Sequence, residues 1–115
     1  MSLDCHCLVE GPRRPAVIDE RFIGVDKTEG RFADVTLRRC ARSQRLWLRY
    51  QVEYEAFSRS GRWAEAPIGG QAAATMTPEA AAEFVESAEF HIYGGSFWGH
   101  AGKRGCGRLP WSISG

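Results

Sequence analysis

The stretch that decides the fold is SQRLWLRYQVEYEAFSRSGRWAEAPI, residues 43–68. From Leu46 to Phe57 apolar and polar side chains alternate, so every second residue lies on the same side of an extended chain. A helix would scatter the apolar members around its circumference. The apolar side consists of Leu46, Leu48, Tyr50, Val52, Tyr54 and Ala56. Residues 46–57 are therefore predicted to form a β-strand with one face toward a core.

Residues 58–61, SRSG, are predicted to turn the chain, because glycine adopts positive φ at no steric cost. The chain then returns over residues 62–67, which gives a central hairpin, 46–57/62–67. A three-residue loop would set Glu55 directly opposite Glu65, and like charges in that position are destabilising. We therefore predict the four-residue loop, which sets Ala56 opposite Trp63.

Two further segments before the hairpin are predicted to be strands. Residues 16–25, AVIDERFIGV, are rich in branched and aromatic side chains, although the DER within them also permits a helical turn. Residues 26–30 have the composition of a turn. Residues 31–39 alternate again and are predicted to form the strand before the hairpin.

A single helix is predicted over residues 77–93. Thr77 suits the N-cap, Pro78 the first helical position and Glu79 the positive end of the helix dipole. Gly94-Gly95 is a stop signal, and the glycine-rich residues 96–115 are predicted to be irregular apart from a short final strand. The predicted fold class is thus α+β: an antiparallel sheet of about four strands with one helix across one face.

Length and composition predict one soluble domain spanning residues 1–115. The chain is 43% hydrophobic and 25% charged, as in ordinary globular proteins, and its net charge is +1. Such a charge gives no general attraction to nucleic acid or acidic membranes. The amino terminus has no apolar run typical of a signal peptide, and no window approaches the ~20 apolar residues of a membrane span. We therefore expect a cytoplasmic protein.

Three cysteines have a spacing that favours a metal site. Cys5-x-Cys7 together with Cys40-x-x-Ser43 is similar to a zinc ribbon in which the last ligand has become serine. The resemblance implies a bound zinc ion, for which Cys106 is the best fourth ligand because glycines flank it. His6 and His100 are the alternatives. The competing interpretation is that these cysteines are small buried hydrophobic residues.

A second resemblance concerns the central hairpin. LWLRYQVEYEAFSRSGRW, residues 46–63, and YGGSF, residues 93–97, resemble small bacterial domains of no assigned function. This resemblance implies that Trp63 and the Gly94-Gly95 turn belong to the scaffold. It implies no mechanism.

The carboxy-terminal region contains the residue types of an anion-binding nest or of a small catalytic site. Ser96 lies among glycines with His91 and His100 nearby in sequence, which suits a nucleophile with its base. The nucleophile-elbow pattern fails, however, because no glycine stands two residues after Ser96. A glycine turn with aromatic side chains folded onto the core is the favoured interpretation.

Arginines gather around the connection before the central strand. Basic residues interleaved with an aromatic ring suit phosphate contacts and base stacking in nucleic acid. The near-neutral chain and the acidic predicted helix oppose this interpretation, so solvated arginines paired with acidic neighbours are favoured. The cluster comprises Arg38, Arg39, Arg42, Arg45 and Arg49 with Trp47.

No complete catalytic set can be assembled, so the predicted function is that of a non-enzymatic protein-interaction module. A protein partner or self-association is expected, and nucleic acid is disfavoured. The alternative is a zinc-ribbon-like module that contacts nucleic acid or a regulatory partner, and a small enzyme using the carboxy-terminal region comes after it. The predicted binding surface comprises Trp47, Arg49 and Phe57 with Arg42 and Arg45.

Overall fold

The computed structural model describes residues 17–40, 44–53, 60–96, 98 and 100–109. These residues form one six-stranded antiparallel sheet in which each strand pairs with the next along the chain. The strands are β1 (Val17–Asp26), β2 (Ala33–Cys40), β3 (Leu46–Val52), β4 (Arg62–Pro67), β5 (His91–Gly95) and β6 (His100–Gly105). Helices α1 (Gly70–Thr75) and α2 (Pro78–Ser87) connect β4 to β5, and a 3₁₀ turn (Thr28–Gly30) connects β1 to β2. Neither helix of this described part is long and apolar enough to cross a membrane.

Alternation along the strands gives the sheet one apolar face, as predicted. Val35 of β2 lies opposite Tyr50 of β3, Leu37 lies opposite Leu48, and all four are buried. The apolar side of α2 packs on this face with Ala81, Ala82 and Val85. We call it the helix-covered face. The opposite, helix-free face carries Thr36, Arg38, Trp47, Arg49, Trp63 and Glu65.

The predicted strands before the hairpin are confirmed. Residues 16–25 and 31–39 correspond to β1 and β2, and their pairing is antiparallel. The register shifts twice, once between Val17 and Asp19 and once between Phe22 and Gly24. At the second irregularity, a side chain on Gly24 would approach within 2.8 Å of the Pro78 ring. A glycine at this bend therefore allows α2 to sit close to β1.

The register predicted for the central hairpin is wrong. Trp63 lies opposite Gln51, and Glu65 lies opposite Arg49. The predicted pairing of Trp63 with Ala56 differs by five residues, and an odd shift moves each side chain of β4 to the other face. Glu65 thereby meets an arginine instead of the apolar core. The strand prediction is confirmed over 46–52, while residues 54–59, including Phe57, lie outside the described residues.

The prediction of a single helix over residues 77–93 is also wrong. Pro78 does begin α2 and Thr77 is its extended N-cap, although the Thr77 side chain makes no capping hydrogen bond. The helix ends at Ser87, and Ala88 is already extended. Ile92 fits both a helical stripe and a strand, and pairing with Glu65 on β4 decides for the strand. The segment before α2 forms a second short helix, α1.

The predicted irregular tail contains a sixth strand. In β6, Gly105 lies opposite His91, and a Cβ there would come within 2.9 Å of the Tyr93 ring. This glycine makes room for an aromatic ring lying across the sheet, so it does not mark a loop. The described residues therefore form six strands and two short α-helices, whereas the sequence predicted about four strands and one helix.

Candidate functional site

Trp47 and Arg49 lie on the helix-free face, where the sequence placed them, but Trp47 is not a surface residue. It is 0% exposed and clusters with Cys40 and Ile92. The Phe90 ring meets its indole edge to face, with 6.1 Å between ring centroids. Arg45 is half-buried, and Arg42 lies outside the described residues. Trp47 thus belongs to a second, smaller core.

Glu65 joins the strands of the helix-free face through charge. Its Oε1 accepts a hydrogen bond from Arg38 Nη1 at 2.6 Å and another from Arg49 Nη1. Arg38 Nε also donates to Glu20 Oε2 at 2.8 Å. Glu65 is 1% exposed, and a buried carboxylate needs such partners to remain charged. The network, which we call the Glu65 network, links β1, β2, β3 and β4.

Arg49 is held in place from three sides. Besides Glu65, its Nε donates to Gln51 Oε1 at 3.2 Å. Its guanidinium carbon lies 4.6 Å from the centroid of the Trp63 ring, a cation–π geometry. Both residues are half-buried. The side chains of Arg49 and Trp63 therefore have little conformational freedom left to lose on binding a partner.

Two exposed phenylalanines lie on strand β1 and just before strand β2. Phe22 and Phe32 are each 60% exposed, and they are the exposed large hydrophobic residues of the described part of the chain. Phe22 lies opposite Thr36, which lies opposite Arg49, so the three side chains form a row on the helix-free face. Phe32 precedes β2 with φ +51°, uncommon for a bulky residue. We call Phe22, Phe32, Arg49 and Trp63 the aromatic patch.

A buried carboxylate at the end of β1 stabilises the turn between β1 and β2 on the helix-covered face. Asp26 accepts hydrogen bonds from Thr28 N at 3.0 Å, from Thr28 Oγ1 at 2.6 Å and from the Tyr50 hydroxyl at 2.5 Å. Arg31 donates to the Tyr50 oxygen at 2.8 Å and contacts Asp26 at 3.4 Å. Burial acts to raise the pKa of Asp26, but these donors outweigh it and the pKa lies below its ordinary value.

Tyr50 is the donor in this network at ordinary pH. Burial, and then its hydrogen bond to Asp26, raise the pKa of the phenol well above its usual value. The phenol is fully buried, and it bridges the carboxylate to the Arg31 guanidinium. The arrangement fixes the turn between β1 and β2, and with it the position of Phe32.

The predicted metal ligands are only partly within the described residues. Cys40 is buried in the Trp47 cluster, and Cys106 is exposed beyond β6. Four strand spacings separate β2 from β6, which corresponds to about 19 Å along the sheet. Cys5 and Cys7 lie outside the described part, within which no three His, Cys, Asp or Glu side chains form a metal-binding group. Zinc binding stays a prediction.

Ser96 and His91 of the suggested catalytic site have structural partners. Ser96 Oγ accepts a hydrogen bond from the Gly61 amide at 3.1 Å, which ties the end of β5 to the start of β4. His91 is buried, and its Nδ1 lies 3.1 Å from the carbonyl oxygen of Val85. The side chain of His100 is not among those described. Ser96 and His91 therefore each connect neighbouring elements.

The arginine cluster is divided between the two faces of the sheet. Arg38 belongs to the Glu65 network on the helix-free face. Arg39, the next residue of β2, lies opposite Leu46 and Asp19 on the helix-covered face. Because successive strand residues point to opposite sides, these two arginines do not form one basic patch.

No family model, curated protein or solved structure matches the chain. The resemblance to small bacterial domains therefore stays a prediction.

The sequence revealed only part of the aromatic patch. Alternation placed Arg49 on the correct face, but the wrongly predicted register concealed that Trp63 lies beside it.

Proposed function

We propose that the protein is a non-enzymatic interaction module whose aromatic patch associates with a second copy of the chain. The observation that carries this proposal is the exposure, 60% each, of Phe22 on β1 and Phe32 just before β2. Exposed aromatic rings beside ordered polar groups are typical of protein interfaces. The strained backbone at Phe32 is consistent with a constraint other than stability.

Arg49 and Trp63 supply the anchors of this interface. Arginine and tryptophan are over-represented among the residues that carry binding energy. Contacts with Glu65, Gln51 and Trp63 hold the Arg49 side chain before any partner arrives. Less conformational entropy is then lost on association, which favours affinity.

Charge favours a second copy as the partner. The chain carries a net charge of only +1, so two copies repel each other weakly. Asp34 is exposed beside the aromatic patch and lies opposite Gln51. Arg49 is two residues from Gln51 along β3 and therefore on the same face of the sheet. In a twofold interface, each patch meets its own copy reversed. Acidic and basic groups of the two copies can therefore face each other.

Sedimentation velocity over a concentration series tests this proposal. The wild type is expected to be dimeric at about 100 µM, whereas Phe22→Ser and Phe32→Ser should each raise the dimer dissociation constant about tenfold or more. Because both rings are mostly exposed, either substitution should change the free energy of unfolding by no more than about 0.5 kcal/mol.

Gln71→Ser provides a matched control, since Gln71 is exposed on α1, over the other face of the sheet. Its dissociation constant should equal that of the wild type. A wild type that remains monomeric at about 100 µM would contradict the proposal. A dimer that neither phenylalanine substitution weakens would contradict it equally.

A further inference from the structure

A cleft of about 280 Å³ lies between the helix-covered face and α1. Strands β1, β2 and β3 form its floor, and α1 supplies a wall through Gly70, Ala73 and Ala74. The volume approaches the lower end of the range for small-molecule sites. The cleft is on the opposite side of the sheet from the exposed part of the aromatic patch, so it is independent of the proposed interface.

Two arginines give the cleft its positive character. Arg21 and Arg39 both line it, and the Arg39 Nε atom is buried without a hydrogen-bond partner. That nitrogen is covered by the protein, but Arg39 as a whole is half-buried and lines the cleft, so its side chain is accessible to an acceptor there. Arg38 also contributes to the wall, but its guanidinium is engaged by Glu20 and Glu65. Arg39 and Arg21 are therefore the arginines that we assign to a ligand.

The other residues that line the cleft indicate which class of ligand it can bind. Leu37, Leu46 and Ala73 provide apolar surface beside the arginines. Asp19 lies directly opposite Arg39 across the β1–β2 pair, and its charge disfavours a doubly charged anion such as hydrogen phosphate. A guanidinium pairs well with a carboxylate, through two parallel N–H donors.

We propose that this cleft binds a small organic carboxylate, with its carboxylate on Arg39 and Arg21 and its hydrocarbon part on Leu37 and Leu46. The carboxylate accepts charge-assisted hydrogen bonds from the two guanidinium groups. The hydrocarbon part covers apolar surface that the cleft would otherwise leave in contact with water. The inference rests on the cleft alone and does not depend on self-association.

Isothermal titration of the full chain with hexanoate tests the inference, with hexanol and inorganic phosphate as comparison ligands. Hexanoate should bind saturably, and each comparison ligand should bind at least about tenfold more weakly. Arg39→Gln and Arg21→Gln should each weaken hexanoate binding by about tenfold or more, because a charge-assisted hydrogen bond is lost. The exposed Arg21 keeps the test valid should Arg39→Gln unfold the chain.

Lys103→Gln is the matched control, since it removes one positive charge from the exposed surface of β6, at the far edge of the sheet. Its affinity for hexanoate should equal that of the wild type. Absence of saturable binding up to about 20 mM hexanoate would overturn the inference. So would phosphate or hexanol binding as tightly as hexanoate, or affinity unchanged in both arginine variants.

Discussion

Asp26 illustrates how a single side chain fixes a turn of this fold. It is 0% exposed, yet its carboxylate is charged because two groups of Thr28, the Tyr50 hydroxyl and Arg31 donate to it. A folded-state pKa below the ordinary value of 3.8 means that ionised Asp26 stabilises the fold. That stabilisation is present above about pH 4 and is lost as the pH falls through the folded-state pKa.

Asp26→Asn should therefore destabilise the protein in a pH-dependent way. At pH 7 we expect a loss of about 3 kcal/mol, because the substitution removes the buried negative charge that the mostly buried Arg31 contacts. The difference from the wild type should shrink as the pH falls from about 4, where Asp26 of the unfolded chain becomes protonated, through the lower folded-state pKa. Urea unfolding at a series of pH values measures both quantities.

Asp34→Asn makes the same chemical change at an exposed position of β2. It should alter the free energy of unfolding by no more than about 0.5 kcal/mol. An Asp26→Asn deficit that stays constant from pH 7 to about pH 3 would show that the lost contribution is packing and not charge.

Residue-level prediction from the sequence succeeded where the period of the strand decides the answer. Alternation placed Trp47 and Arg49 on one face and the core residues on the other. It could not tell that Trp47 is buried, because the residues that pack against it, Ile92 and Phe90, come from a segment predicted to be helical. Burial on the second face of a sheet depends on distant elements, and periodicity contains no information about them.

At the scale of elements, β4 and β5 come unusually close. Gly95 has φ +127°, and a Cβ there would lie 2.3 Å from the Gly61 carbonyl oxygen and 2.6 Å from the Arg62 Cα. Both obstacles are backbone atoms, so no side chain can move aside to relieve the contact. Only glycine permits this approach of the two strands.

Gly95→Ala should consequently cost at least about 2 kcal/mol of unfolding free energy, because the positive φ and the backbone contact both oppose a side chain. Thermal and urea unfolding measure the loss. Gly70→Ala is the matched control: nothing lies within 4 Å of its added Cβ, and it begins α1. It should be neutral or stabilise the protein by up to about 1 kcal/mol. Equal stability of the two variants would refute the close approach.

Strands and helices were predicted most securely where the spacing of apolar residues fits one type of element and not the other. Strands β2 and β3 follow from alternation and the start of α2 from the Thr77-Pro78 signal, whereas β1 was predicted from its branched and aromatic residues although a helical turn was also permitted. The end of α2 was missed because Ile92 suits a helix or a strand, and β4 supplies the pairing edge that selects the strand. Strand β6 was missed because Gly105 indicates a loop unless the ring of Tyr93 above it is known.

At the scale of the whole molecule, the observed register of β3 and β4 creates the Glu65 network, which the predicted register does not contain. The sequence predicted Glu65 opposite Tyr54, which would have left a carboxylate facing the core. In the structure it lies opposite Arg49 and also reaches Arg38, so that four strands share one set of charges on the helix-free face. Long-range pairing of this kind depends on the length of the connection between β3 and β4, which side-chain pattern alone does not determine.

Glu65→Gln should destabilise the whole sheet by about 3 kcal/mol, because two poorly exposed guanidinium groups then lose their shared counter-charge. Urea unfolding measures this loss. The same substitution should also weaken self-association, since Arg49 would no longer be held beside Trp63 before binding. Sedimentation velocity, carried out where the variant remains folded, measures the second effect.

Glu83→Gln separates this network from a general effect of removing negative charge, since Glu83 is exposed on α2. Its unfolding free energy should lie within about 0.5 kcal/mol of the wild type, and its dimerisation should be unchanged. If Glu65→Gln lost stability but dimerised as the wild type does, the ordering of Arg49 would have no part in association. The network would then serve the fold alone, and the two phenylalanines would have to account for the interface without the anchors beside them.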